Sequence, residues 1–266
     1  MTTFQKVVKY TAMAFAIFLT VSIIGGLLSM VGLFSGLFDR DAVTYDVKIY
    51  IVSQDIRKLE IKINAADFVI KKGSSFSVES NLKYLKVEDE NGVLTIRDSK
   101  RSGSTYSGAV LTLYVPADIV FDRVNITTGA GRLTVDNLSA DRINLDLGAG
   151  EVSIDTLIAN SDIDINGGAG KITISDGNLN NLDLDMGVGQ LNLTSALTGK
   201  GKFDLGIGES NITLIGTKDD YNLDIEKGIG NITIDGKNNS NIKYYGNGTN
   251  KVEISGGIGS INIKFK

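Results

Sequence analysis

The sequence predicts an all-β fold: a β-solenoid, β-helix-like, built from Gly-x-Gly repeats of about 20 residues and preceded by one N-terminal transmembrane helix. Three observations predict it. A Gly-x-Gly step returns at a nearly fixed interval, apolar residues keep fixed offsets from each step, and one long uncharged run stands near the N-terminus.

The steps are Gly129-Ala130-Gly131, Gly148-Ala149-Gly150, Gly168-Ala169-Gly170, Gly187-Val188-Gly189, the variant Gly208-Glu209-Ser210, Gly228-Ile229-Gly230 and Gly257-Ile258-Gly259. Their spacings of 19, 20, 19, 21, 20 and 29 residues are those of solenoid coils. Five and three residues before each step stand apolar pairs, from Val124 and Ile126 to Val252 and Ile254. Four and six residues after the first glycine come further pairs, from Leu133 and Val135 to Ile261 and Ile263. Alternation on both sides of the step predicts two short strands per repeat, each with one buried face.

A chain of hairpins could also turn at Gly-x-Gly. A hairpin tip points into water and favours Asn, Asp or Gly, whereas the middle residue here is apolar in six of seven steps. The step is therefore expected to be a solenoid corner, with Ala149 and Ile229 facing inward and the inward parity shifting by one residue at the bend.

Taken in order, residues 1–10 are expected to be a cytoplasmic N-terminus and residues 11–38 a membrane span. Thr11 to Phe38 carries no charge, which suffices for a tilted helix. Lys6 and Lys9 precede it, so the positive-inside rule places everything after it outside the cytoplasmic membrane: a single-pass cell-membrane protein with its C-terminal domain extracytoplasmic. A cleaved signal peptide is the rival reading, against which stand a run longer than a usual h-region and the lack of an Ala-x-Ala site at its end. Residues 42–116 read as an irregular β cap. It contains one early copy of the repeat, with Leu59, Ile61 and Ile63 before Asn64-Ala65-Ala66 and Phe68 and Ile70 after. Further strands are expected near Phe76 to Val78, Tyr84 to Val87, Val93 to Ile96 and Val110 to Val115, with Lys100 to Gly108 as a long hairpin tip. Pro116, the only proline, precedes the regular coils of residues 117–266, and the interval Gly236 to Lys251 breaks their period.

The run Val110-Leu111-Thr112-Leu113-Tyr114-Val115-Pro116, followed by Val124-Asn125-Ile126-Thr127-Thr128-Gly129-Ala130-Gly131, resembles the bacterial "putative adhesin" domain family over residues 45–266. The resemblance implies repeated β coils, commonly behind a single membrane helix, and in some Gram-positive relatives an association with envelope-stress systems. It brings no catalytic motif.

Composition narrows the chemistry. The chain has no Cys, His or Trp, so it can hold no disulfide, thiol nucleophile, imidazole base or Cys/His zinc site. No enzyme activity, cofactor or metal is expected. Residues 124–235 carry 7 Lys and Arg against 17 Asp and Glu, which opposes nucleic-acid binding.

Outward residues of neighbouring coils should form columns. Four before each step stand Asn125, Asn144, Asp164, Asp183, Asp204, Asp224 and Glu253; two before stand Thr127, Asp146, Asn166, Asp185, Gly206, Glu226 and Ser255. Asp164, Asp183, Asp185, Asp204, Asp224 and Glu226 are the candidate interaction surface, an acidic stripe for a cationic or hydrogen-bonding envelope protein or glycan; the same stripe also serves simply as a solvated face. A third column of Thr134, Ser153, Thr173, Asn192, Thr213, Thr233 and Asn262 reads as ordinary strand surface. The function expected is non-enzymatic binding at the envelope. The alternatives are a self-assembling scaffold whose solenoid ends stack, and a carbohydrate-active enzyme using paired carboxylates.

Overall fold

The computed structural model describes residues 44–99, 108–238 and 243–266, all of them in one stack of β coils. The expected helix at residues 11–38, the cytoplasmic residues before it and most of the expected hairpin tip lie outside the described residues. Among the described residues no helix is long and apolar enough to cross a membrane.

Among the described residues fourteen strands form one sheet: β1 (Thr44–Ile51), β2 (Lys58–Gly73), β3 (Ser77–Leu82), β4 (Leu85–Glu90), β5 (Val93–Asp98), β6 (Val110–Pro116), β7 (Phe121–Asn180), β8 (Leu182–Thr198), β9 (Lys200–Leu214), β10 (Tyr221–Glu226), β11 (Ile229–Ile234), β12 (Lys237–Asn238), β13 (Tyr244–Tyr245) and β14 (Asn250–Phe265). β7 runs through three coils without a break. The coils pair in parallel, with Leu184 opposite Phe203 and Ile165 opposite Leu184, so identical apolar positions stack on one another.

The flanking pairs are buried throughout, from Val124 and Ile126 to Ile261 and Ile263. Each coil also buries side chains beyond the two expected strands, such as Leu138 and Ala140, Leu157 and Ala159, and Leu179. The period-two pattern breaks before these positions, which hides them from a search for alternation.

The corner is inverted relative to expectation. Ala149 is exposed, and Ile229 is 56% exposed. The inner side of the corner is filled by the residue just before the step, as with Leu147 and Met186, both buried. Parity does shift there, but backbone rather than the middle side chain faces the next coil. A Cβ built on Gly148 would collide with the carbonyl oxygen of Gly129, and Gly150 holds φ at 145° with its own Cβ direction aimed at the Gly131 carbonyl. Only glycine satisfies both demands. The middle residues therefore form an outward apolar ridge, with Val188 beside Ile207, Ile207 beside Ile258, and Ile258 beside Ile229.

The variant step is Gly206-Ile207-Gly208, since Val188 pairs with Ile207 and Gly189 with Gly208. Gly208-Glu209-Ser210 was two residues out of register. Ser210, buried, stands where Leu191 stands in the coil before.

The coils are not stacked in chain order. β14, the last repeat in the sequence, lies between β9 and the coil made of β10 and β11. The long interval before β14 is the excursion that allows this: β12 pairs antiparallel with β11, and β13 with β10, covering part of the free edge of that coil. Insertion bonds β14 on both edges, and Lys266 closes the stack by donating its N–H to Leu214 O (3.0 Å) and accepting from Gly216 N (2.8 Å). Tyr221 seals the same end, its hydroxyl donating to Ile215 O (2.6 Å) and accepting from Leu197 N (3.3 Å).

At the other end β5 and β6 both run parallel to β2, on its first and second halves, and so form a further coil. They do not pair with each other, which corrects the expected hairpin between them. β4 turns into β5 at Asn91-Gly92, with φ of 50° and 75°, the two positive angles of a tight two-residue hairpin. β3 and then β1 extend the sheet antiparallel beyond β6.

Candidate interaction groove

The outward residues of the strand before each corner form three rows, and register decides their chemistry. In the middle row Asp164 stands beside Asp183, Asp183 beside Lys202, Lys202 beside Glu253, and Glu253 beside Asp224. In the next row Asn166, Asp185, Asp204, Ser255 and Glu226 follow one another. The six expected residues thus divide between two rows. Asp204 belongs beside Asp185 rather than Asp183, and the acidic row is interrupted by Lys202. The signal was present in the sequence: a step 19 residues after Gly187 falls on Gly206.

The third row, one strand position further from the corner, is basic over much of its length. It contains Lys58 beside Arg123 and Lys200 beside Lys251. Sequence reasoning passed over it because each cation stands alone within its own repeat.

The middle and third rows line an open groove of about 720 Å³. Its walls carry the cations Arg123, Arg142, Lys200, Lys202 and Lys251, the carboxylates Asp162, Asp164, Asp183 and Glu253, and the amides Asn125, Asn144 and Asn181. Asp185, Asp204, Asp224 and Glu226 lie outside it.

Lys202 organises the electrostatics. Its Nζ lies 2.5 Å from Asp204 Oδ2 and 3.5 Å from Asp183 Oδ1. The bond from Lys202 holds the Asp204 carboxyl below the usual range, and the same bond raises the Lys202 ammonium. Among the described residues no cation is paired with Asp164. Partial burial raises its pKa, and Asp183, Asp162 and Asp146 raise it further. Asp185 is raised by desolvation, with Lys202 opposing and Asp183 and Asp204 reinforcing the shift.

Amides link neighbouring coils within the rows elsewhere: Asn125 Nδ2 donates to Glu60 Oε1 (2.7 Å), and Asn166 Nδ2 to Asp146 Oδ1 (3.0 Å). One acceptor is left over. Asn144 Oδ1, in the groove wall, is screened from solvent and accepts no hydrogen bond among the described residues. An orphaned acceptor of this kind costs about 1 to 3 kcal/mol until a donor reaches it.

Among the described residues no group of three or more carboxylates converges on a point where a metal ion could sit. The third column forms an amide ladder: Asn211 Nδ2 donates to Asn192 Oδ1 (3.0 Å), Asn262 Nδ2 to Asn211 Oδ1 (2.9 Å) and Thr233 Oγ1 to Asn262 Oδ1 (2.8 Å). Asn211 replaces Thr213 in it, for the reason that displaced Asp204. These side chains spend their polar groups on one another.

Solved structures similar to the chain include the "putative adhesin" of Parabacteroides distasonis, with 16% identity over 82% of this chain and 97% of that one and a TM-score of 0.43. The "putative adhesin" of Bacteroides fragilis has 11% identity over 82% and 95%, with a TM-score of 0.40. The "putative cell adhesion protein" of Clostridium sporogenes has 15% identity over 83% and 99%, with a TM-score of 0.34. No curated protein matches the chain. The sequence pattern of one family, however, matches residues 56–258, from the first coil to the corner of the inserted last repeat, and by that match the chain belongs to the Toastrack DUF4097 family.

Proposed function

We propose that this protein is a membrane-tethered, extracytoplasmic binding protein that holds an extended envelope polymer in its groove without transforming it. The observation that carries the reading is the groove itself, where five cations and four carboxylates lie side by side on stacked coils with the unpaired Asn144 acceptor among them. Such a surface suits a chain bearing both amino and acidic groups, or hydroxyl and amide groups, better than the purely cationic partner an acidic stripe alone would select. Groups repeated every ~4.8 Å bind by many weak contacts along a length. They lack the singular constellation that general acid-base catalysis needs. Tethering rests on the uncharged run from Thr11 to Phe38 behind Lys6 and Lys9. A place beside an envelope-stress sensor follows from the family resemblance alone.

The test is retention on purified wall material. Reversing Arg142 and Lys251 to Glu is expected to lower retention at least tenfold with no change in melting temperature, and retention of the wild type is expected to fall as salt rises. Unchanged retention in the double variant would remove the groove as the contact surface. Release of soluble sugar fragments by the wild type would put the enzyme alternative first.

A further inference from the structure

We infer that the outward face of β1 rests on the lipid surface of the membrane, so that the first strand of the cap fixes how the stack stands on the bilayer. The inference rests on the membrane-tethered reading above. β1 is an edge strand, paired with β3 on one side only. Its alternate side chains on one face all leave the protein: Val47 is 58%, Ile49 67% and Ile51 93% exposed. An edge in water is ordinarily blunted with charge or proline, whereas three β-branched apolar residues on one face of an open edge would invite aggregation.

The apolar surface stops at β1. Behind Ile49 the row continues through Glu79 to Thr112, and behind Ile51 through Ser77 to Tyr114, whose hydroxyl donates to Glu79 (3.3 Å). A narrow apolar margin backed by hydroxyl groups and one carboxylate fits the boundary between acyl chains and headgroups better than it fits a protein core.

Chain length says what covers it. The uncharged run ends at Phe38 and β1 begins at Thr44, so the residues between them reach at most about 20 Å. The headgroup layer is itself roughly 5 to 8 Å deep on each side. A helix ending at Phe38 therefore delivers β1 to the bilayer surface. Charge agrees. Residues 44–99 balance nine Lys and Arg against nine Asp and Glu, while residues 124–235 carry the excess of acid that an anionic leaflet repels.

The chain contains no tryptophan, so a single introduced one reports its own surroundings. Full-length protein would be reconstituted in phosphatidylcholine and phosphatidylglycerol vesicles, with and without brominated acyl chains, carrying Leu27→Trp, Ile51→Trp or Ile229→Trp one at a time. Strong quenching is expected for Leu27→Trp, partial quenching with blue-shifted emission for Ile51→Trp, and none for Ile229→Trp. An unquenched Leu27→Trp would overturn the tether and this inference with it. A quenched Leu27→Trp beside an unquenched, red-emitting Ile51→Trp would overturn the lipid contact alone. Blue-shifted but unquenched emission at Ile51→Trp that disappears on diluting the protein in lipid would overturn it in favour of a second copy on β1. Equal quenching at Ile51→Trp and Ile229→Trp would overturn the fixed stance.

Discussion

The first corner of the stack and the corners that follow make the same bend with different residues. At Asn64-Ala65-Ala66 there is no glycine, and Ala66 is not among the residues with positive φ. Among the described residues no coil backs onto this corner: β5 and β6 cover β2 before and after it, and Asn64 Nδ2 instead reaches Asp98 O (3.4 Å) and Oδ2 (3.3 Å). From Gly129 onward a coil always lies behind, and each first glycine would drive a Cβ into its carbonyl. The bend itself thus does not demand glycine. The approach of one coil to the next does.

The sharpest way to break the comparison is to exchange the residues. Gly189 has φ 142° and its Cβ direction meets the Gly170 backbone, so Gly189→Ala is expected to cost roughly 3 to 5 kcal/mol. Ala66→Gly at the first corner should cost only about 1 kcal/mol. Equal losses in thermal unfolding would show that the bend, and not the stacking, selects glycine.

A second test sharpens the inside-out corner. Ile232 is buried, two residues beyond the step, and Ile232→Lys should cost several kcal/mol, while Ile229→Lys within the step should stay within about 0.5 kcal/mol. A comparable loss for both would restore the inward corner.

The smallest effect concerns the groove. The folded pKa of Asp164 is raised, so its charged form opposes folding: the full stability is present below its unfolded pKa and is lost as pH rises through the folded value. Asp164→Asn should therefore stabilise by a few tenths of a kcal/mol at neutral pH, discounted because the group is exposed. The gain should vanish in denaturant titrations below the carboxylate range. Asp204→Asn should behave oppositely, since the bond from Lys202 lowers its pKa and its contribution is lost as pH falls.

Much of this was legible in the residues alone. Apolar positions such as Leu182, Leu184, Leu191 and Leu193 announce their strands, because a coil that leaves them in water has nothing else to hold it together. The candidate site was half legible. Asp164 and Asp183 are neighbours as their spacing implies, but Lys202 entered their row only when pairing with Asp183 fixed the register of β9.

By itself, then, the sequence determined the all-β class, the coil period, the buried pairs beside each step and the absence of imidazole and thiol chemistry, all of which follow from local pattern and composition. Only the tertiary structure decided that the middle residues face out, that Lys202 divides the acidic row, and that β14 slips between β9 and β10. Every repeat offers its neighbours nearly the same apolar stripe, so local pattern cannot say which repeat stacks on which. That choice falls to the length of the excursion before β14 and to the hydrogen bonds gained when the last strand is paired on both edges.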